Sequence, residues 1–104
     1  MINWNNCSKE DVGPGWGYLI DILEYHLTNE PQIIDVVQIK EKFGTLRFYI
    51  DYEKEYPKII DLIERLSEFI CEQCAKPGTL DTNSYWYKTL CPECSAARAL
   101  TRFK

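Results

Sequence analysis

Residues 71 to 94 read CEQCAKPGTLDTNSYWYKTLCPEC, two Cys-x-x-Cys pairs with sixteen residues between them. No other feature narrows the possible folds as much. A Cys-x-x-Cys turn sets two sulfurs on one side of a metal ion, and a second such turn closes a tetrahedron of soft thiolates, the donor set zinc favours. The spacing lies in the usual range of zinc sites, so it predicts one structural zinc ion held by Cys71, Cys74, Cys91 and Cys94. A thioredoxin-like redox pair would need a single Cys-x-x-Cys opening a helix within a βαβ pattern, and no such pattern is present. Catalytic zinc keeps one position for water, and four cysteines leave none. Iron–sulfur ligation by the same four residues stays open. For a chain of 104 residues a metal staple has a clear use, because so short a chain buries little core.

The stretch between and after the cysteines has its own order. AKPG is a tight turn with Gly78 available for a positive φ, and GTLDTNSYWYKTL reads as a small hairpin with DTNS at its tip. SAARALTRFK has helix-forming composition. Knuckle, hairpin and helix in that order resemble a treble-clef zinc finger, here over residues 71–104. Tyr85, Trp86 and Tyr87 are expected to cover this module or join it to the body. Arg98 and Arg102 stand four apart on the final helix with Lys104 beyond. They suit either nucleic-acid contact or complementation of the helix dipole.

Residues 1–70 are expected to form a small α+β body, onto which the four-cysteine finger packs. VGPGWGYLIDILEYHLTNEP contains an amphipathic helix: Pro14 suits its start, Trp16, Leu19, Ile20, Leu23 and Leu27 repeat at helical spacing, and Asn29 and Pro31 end it. The one histidine, His26, falls on this helix in a solvated or core-edge role. IIDVVQIKEKFGTLRFYIDY reads as two strands about a turn near Glu41 to Gly44. That register sends Val37, Ile39, Leu46, Phe48 and Ile50 to one face and Gln38, Lys40, Thr45, Arg47, Tyr49 and Asp51 to the other. A second helix follows Pro57, with Ile59, Ile63, Leu66 and Ile70 as its apolar stripe.

Charge decides between classes of partner. Residues 1–70 carry seven Lys/Arg against thirteen Asp/Glu, and residues 71–104 carry five against three. Four thiolates on one Zn²⁺ add two negative charges to the second segment, so neither half offers the basic field that generic phosphate-backbone binding requires. No apolar run approaches the roughly 18 to 20 residues that span a bilayer, so no membrane partner is expected. MINWNNCSKED has neither a basic start nor an apolar stretch, which suits a cytoplasmic chain with reduced thiols. Cys7 reads as incidental, with Lys9 the one basic residue near it.

KEKFGTLRFY holds one glycine and is no phosphate-cradling loop, and no GxSxG, HExxH or second histidine occurs, so the sequence points away from an enzyme. On the outward hairpin face, Lys40, Arg47 and Tyr49 with Gln38 beside them make a compact cationic-aromatic patch. Such residues suit an interface hot spot, or carboxylate and phosphate capture. The alternative is that they pair with Glu41, Asp51 or Glu53 across the sheet.

GWGYLIDIL, VVQIKEKFGTLRFYID and CEQC…TLCPEC together resemble a loose group of short bacterial and phage-borne proteins, KEKFGTLRFY being the most specific piece. The resemblance implies an α+β body with a carboxy-terminal zinc finger and a phage or mobile-element setting. The finger alone is similar to that of DksA/TraR-type transcription regulators, whose long helical hairpin this chain lacks. The expected function is non-catalytic binding of another macromolecule, a protein, by a small inhibitor or adaptor. Two further readings are nucleic-acid-associated regulation through the finger and capture of a small anionic ligand such as a nucleotide.

Overall fold

A computed structural model describes residues 1–83 and 86–101. Its elements are β1 (Ile2–Asn3), α1 (Gly17–Leu27), β2 (Ile34–Lys42), β3 (Thr45–Asp51), α2 (Lys58–Leu66), β4 (Thr79–Asp81), β5 (Lys88–Leu90) and α3 (Pro92–Thr101). This is the expected α+β order: helix, hairpin, helix, then a turn bearing Cys71 and Cys74, a smaller hairpin, and a helix that starts just after Cys91 and carries Cys94.

A 3₁₀ turn at Pro14–Trp16 leads into α1, where proline's fixed φ favours helix entry. Trp16, Leu19, Ile20, Leu23 and Leu27 are buried as their spacing predicts, and His26 is exposed. Thr28 closes the helix through N–H and hydroxyl bonds to the Glu24 carbonyl (3.0 and 2.6 Å).

β2 and β3 form the hairpin, with β1 added in parallel to β2. Lys42 and Thr45 are the last pair, so the turn is Phe43–Gly44, narrower than the sequence suggested. Both turn residues have positive φ (52° and 81°), the geometry of a two-residue hairpin turn whose twist matches the strands. The faces follow the expected alternation except at Val37. A bulge between Val36 and Gln38 inserts one residue, so Ile34 and Val36 point inward and Val37 is 61% exposed. Leu46 and Phe48 join them under the two helices.

α2 differs from its predicted stripe in one place. Ile60 and Ile63 are buried and Ile59 is half-buried, but Leu66 faces solvent and Ser67 is fully buried. The chain tightens to a 3₁₀ turn at Ser67–Phe69, and that rotation brings Ser67 inward. The buried serine has a partner on both sides: its Oγ accepts from the Leu46 N–H (2.9 Å) and donates to the Glu64 carbonyl (2.5 Å). Two residues further along β3, the Glu64 carboxylate accepts from the Phe48 N–H (2.8 Å). The Tyr56 hydroxyl donates to the Phe48 carbonyl (3.0 Å). Side chains of α2 and its approach thus close the outer edge of β3, an edge that would otherwise invite pairing with another chain.

Candidate metal centre

The first knuckle forms because the chain reverses at Ala75, whose φ of 72° is left-handed. The Ala75 N–H then donates to the Cys71 carbonyl (3.0 Å), and the Cys71 N–H donates to the Lys76 carbonyl (2.7 Å). Gly78 lets this turn lie against β5, since a Cβ there would stand 2.9 Å from the Leu90 carbonyl carbon. The second knuckle is the start of α3. Cys91 takes the capping place ahead of Pro92, its carbonyl accepts from Ser95 N–H (2.9 Å), and its sulfur accepts from the Cys94 N–H (3.4 Å). The positive end of α3 therefore faces the sulfurs, where negative charge is favoured.

These two turns bring the Sγ atoms of Cys71, Cys74, Cys91 and Cys94 within 4.8 Å of one another, with Cys74 and Cys91 at 3.5 Å. A tetrahedral zinc with bonds of about 2.3 Å requires sulfurs about 3.8 Å apart. The observed sulfur separations bracket that spacing, and the four thiols can hold one metal ion. Cys71 and Cys91 are buried, Cys94 is half-buried and Cys74 is exposed.

The local electrostatics favour a cation. Burial pushes the Cys71 thiol up, but N–H donors of Cys91, Gln73 and Cys74 outweigh it and bring the thiol down to about 7. Cys94 is pushed up to about 12, chiefly through its hydrogen bond with Cys91 and then by burial. The two shifts run in opposite directions, as expected when thiolates crowd together. A divalent cation bound there would replace the thiol protons. A metal ion bound by all four sulfurs would keep no position for a reacting water.

Residues without a motif hold the centre against the body. Between Cys71 and Cys74, Glu72 is 4% exposed, its carboxylate accepting from Lys88 Nζ and the Thr89 N–H (both 3.2 Å). Burial raises its pKa, with Lys88 opposing. Its carbonyl accepts from the Gly15 N–H (2.8 Å), and the Trp16 indole donates to the Ile70 carbonyl (2.9 Å). A second attachment lies at the turn between β2 and β3. Thr89 Oγ1 donates to the Gly44 carbonyl (2.6 Å) and the Trp86 indole to Glu41 Oε1 (2.8 Å). KEKFGT thus supplies contacts to the finger, a role its sequence did not disclose.

The other candidate residues fall into two groups. Gln38 stands opposite Tyr49 and Lys40 opposite Arg47 on the sheet face away from the helices. Arg47 leans toward Glu64 (4.0 Å), a partner not foreseen among Glu41, Asp51 and Glu53. Arg98 turns inward, pairing with Asp81 (3.6 Å) and donating to the Trp86 carbonyl, so it ties α3 to the small hairpin. Asp81 is held below the usual carboxylate range by the Asn83 N–H, then by Ser95 and Arg98. Trp86 joins the finger to the body, and Tyr87 is 40% exposed. Tyr85, Arg102 and Lys104 lie outside the described residues. Among the described residues no helix is long and apolar enough to cross a membrane. Comparison with protein-family models, with curated proteins and with solved structures gave no match.

Proposed function

We propose that this is a non-catalytic binding protein, held in shape by one structural zinc ion, whose partner is another protein. Zinc is favoured by the all-thiolate donor set. The knuckle–hairpin–helix order supports a treble-clef finger. The observation that carries the binding role is the directly opposed pair Lys40 and Arg47 on the open sheet face, beside Gln38 and Tyr49. Like charges opposite one another destabilise a sheet, and Glu64 at 4.0 Å from Arg47 relieves only one of them. A patch kept at that cost suits an acidic partner surface. The resemblance to short phage-borne proteins supplies the setting of an inhibitor or adaptor.

Two measurements test this. Native mass spectrometry of the protein purified from cells should show one zinc per chain, and absence of bound metal would remove the centre of the reading. Nuclease-treated lysate passed over the immobilised protein should leave a protein that a Lys40→Glu column fails to retain. Equal retention by both columns would refute the patch. Loss of all retention on nuclease treatment would favour nucleic acid instead.

A further inference from the structure

Where the turn between β2 and β3 meets the finger, a cleft of about 300 Å³ opens between Lys40, Glu41, Lys42 and Phe43 on one side and Trp86 and Tyr87 on the other. Its walls are unusual for a protein surface: Phe43 is 69% and Trp86 65% exposed. Phe43 occupies a left-handed position that is unfavourable for a non-glycine residue, and its ring stands largely in water. Among the described residues neither Lys40 nor Lys42 forms an ion pair. Glu41 brings one negative charge against the two lysines, but its oxygens are turned to the Gly44 N–H (2.7 Å) and the Trp86 indole (2.8 Å), so the cleft keeps a net positive charge with both ammonium groups unpaired.

We propose that this cleft receives one apolar side chain of an acidic peptide segment, whose carboxylates pair with Lys40 and Lys42. The proposal rests on the protein-binding reading above and names the chemistry of the partner. Aromatic rings flanked by cations suit either a peptide anchor or a stacked base. The surrounding charge decides between them. A nucleic-acid backbone carries charge at every step and would run off the lysines onto a body with seven Lys/Arg against thirteen Asp/Glu. A peptide needs only a short acidic cluster around one anchor. The volume suits one large side chain and its surroundings, at the lower end of small-ligand sites.

One wall of the cleft belongs to the finger, so the site exists only while the metal holds the finger in place. Binding of an acidic peptide is therefore metal-dependent even though no peptide atom reaches the metal.

The test uses the zinc-loaded full chain and fluorescein-labelled peptides of Asp and Glu around a central Phe, Leu or Ser, with an oligodeoxythymidylate of similar length as the rival probe. Fluorescence anisotropy should show the Phe or Leu peptide binding at least about tenfold more tightly than the Ser peptide, as expected for burial of one apolar side chain. Trp86→Ala and Phe43→Asn should each erase that preference, asparagine being tolerant of the left-handed turn. Lys42→Glu should weaken every acidic peptide. Zinc content and circular dichroism of each variant confirm that the fold persists. Chelation should abolish binding, and added zinc should restore it. Equal affinity for Phe and Ser peptides, binding that survives chelation, tighter binding of the oligonucleotide, or no peptide binding at all would each overturn the cleft. Arg47→Ala reports on the sheet face alone: if it weakens binding while Trp86→Ala does not, the cleft fails and the sheet-face reading stands.

Discussion

Gly15 and Gly17 are two residues apart and meet opposite demands. A Cβ on Gly15 would stand 2.1 Å from the Cys71 carbonyl oxygen and 2.7 Å from the Ala75 nitrogen, both backbone atoms of the knuckle. A Cβ on Gly17 would meet only the flexible end of Lys9 at 3.8 Å, in ordinary helical conformation. Gly15→Ala should therefore destabilise the zinc-loaded protein by about 1–3 kcal/mol, the usual cost of overpacking. Gly17→Ala should stabilise it by about 0.4–1 kcal/mol through the unfolded chain. Urea denaturation of both variants checks the contrast, and equal effects would mean that the knuckle does not rest on Gly15. Glu64 gives a pH prediction. Burial raises its pKa above the ordinary 4.5, against the opposing Phe48 N–H and Arg47. The folded state then holds this proton more tightly than the unfolded chain does. Stability credited to Glu64 is full below about pH 4 and is lost as pH rises through the raised value. Glu64→Gln should remove that slope, so its stability relative to wild type should rise across this window. A constant difference across a pH series of melts would contradict the assignment.

At the scale of elements, periodicity carried most of what could be read in advance. The apolar spacing of α1 matched its buried face because nothing interrupts the helical period from Leu19 to Leu27. The two departures, Val37 and Leu66, both occur where the period itself changes. A bulge leaves no mark in VVQIK, because either valine is an acceptable strand residue. The 3₁₀ tightening after Leu66 is set by the edge of β3, which needs acceptors for the Leu46 and Phe48 N–H groups. Ser67→Ala should accordingly cost about 1–3 kcal/mol by leaving a buried donor unpaired. Leu66→Ala, on the exposed side, should change stability by about 0.5 kcal/mol or less. Thermal melts that rank these two in the opposite order would restore the simple helical stripe. The cysteine cluster was legible because knuckle chemistry is local: the identity and spacing of each Cys-x-x-Cys pair lie within a few residues. The glycine seat was not legible, because Gly15 meets Glu72 only in the folded chain and no period links them.

At the scale of the molecule, the described residues measure 50 by 22 by 17 Å, an elongated shape. Among the described residues the buried apolar side chains fall into two clusters, a larger one in the body and a small one formed by Cys71, Leu90 and Cys91 with Cys94 against it. Three buried apolar residues are too few to sustain a folded unit unaided, and the metal ion proposed above would supply the missing hold. Removal of the metal by a chelator should therefore unfold residues 71–101 first, exposing them to limited proteolysis while α1 and the hairpin persist. Unchanged digestion after verified loss of metal would show that zinc is not needed for the fold.

The finger is fastened at two separate places, once beside Gly15 and Trp16 and once at Glu41 and Gly44. One fastening would leave an axis about which the finger could swing. Two, on different elements, remove that axis and turn the pair into a single bar. A torque applied at α3 is then carried into the sheet without being absorbed by a hinge, and the bar holds its length in solution as an arm on a tether would not.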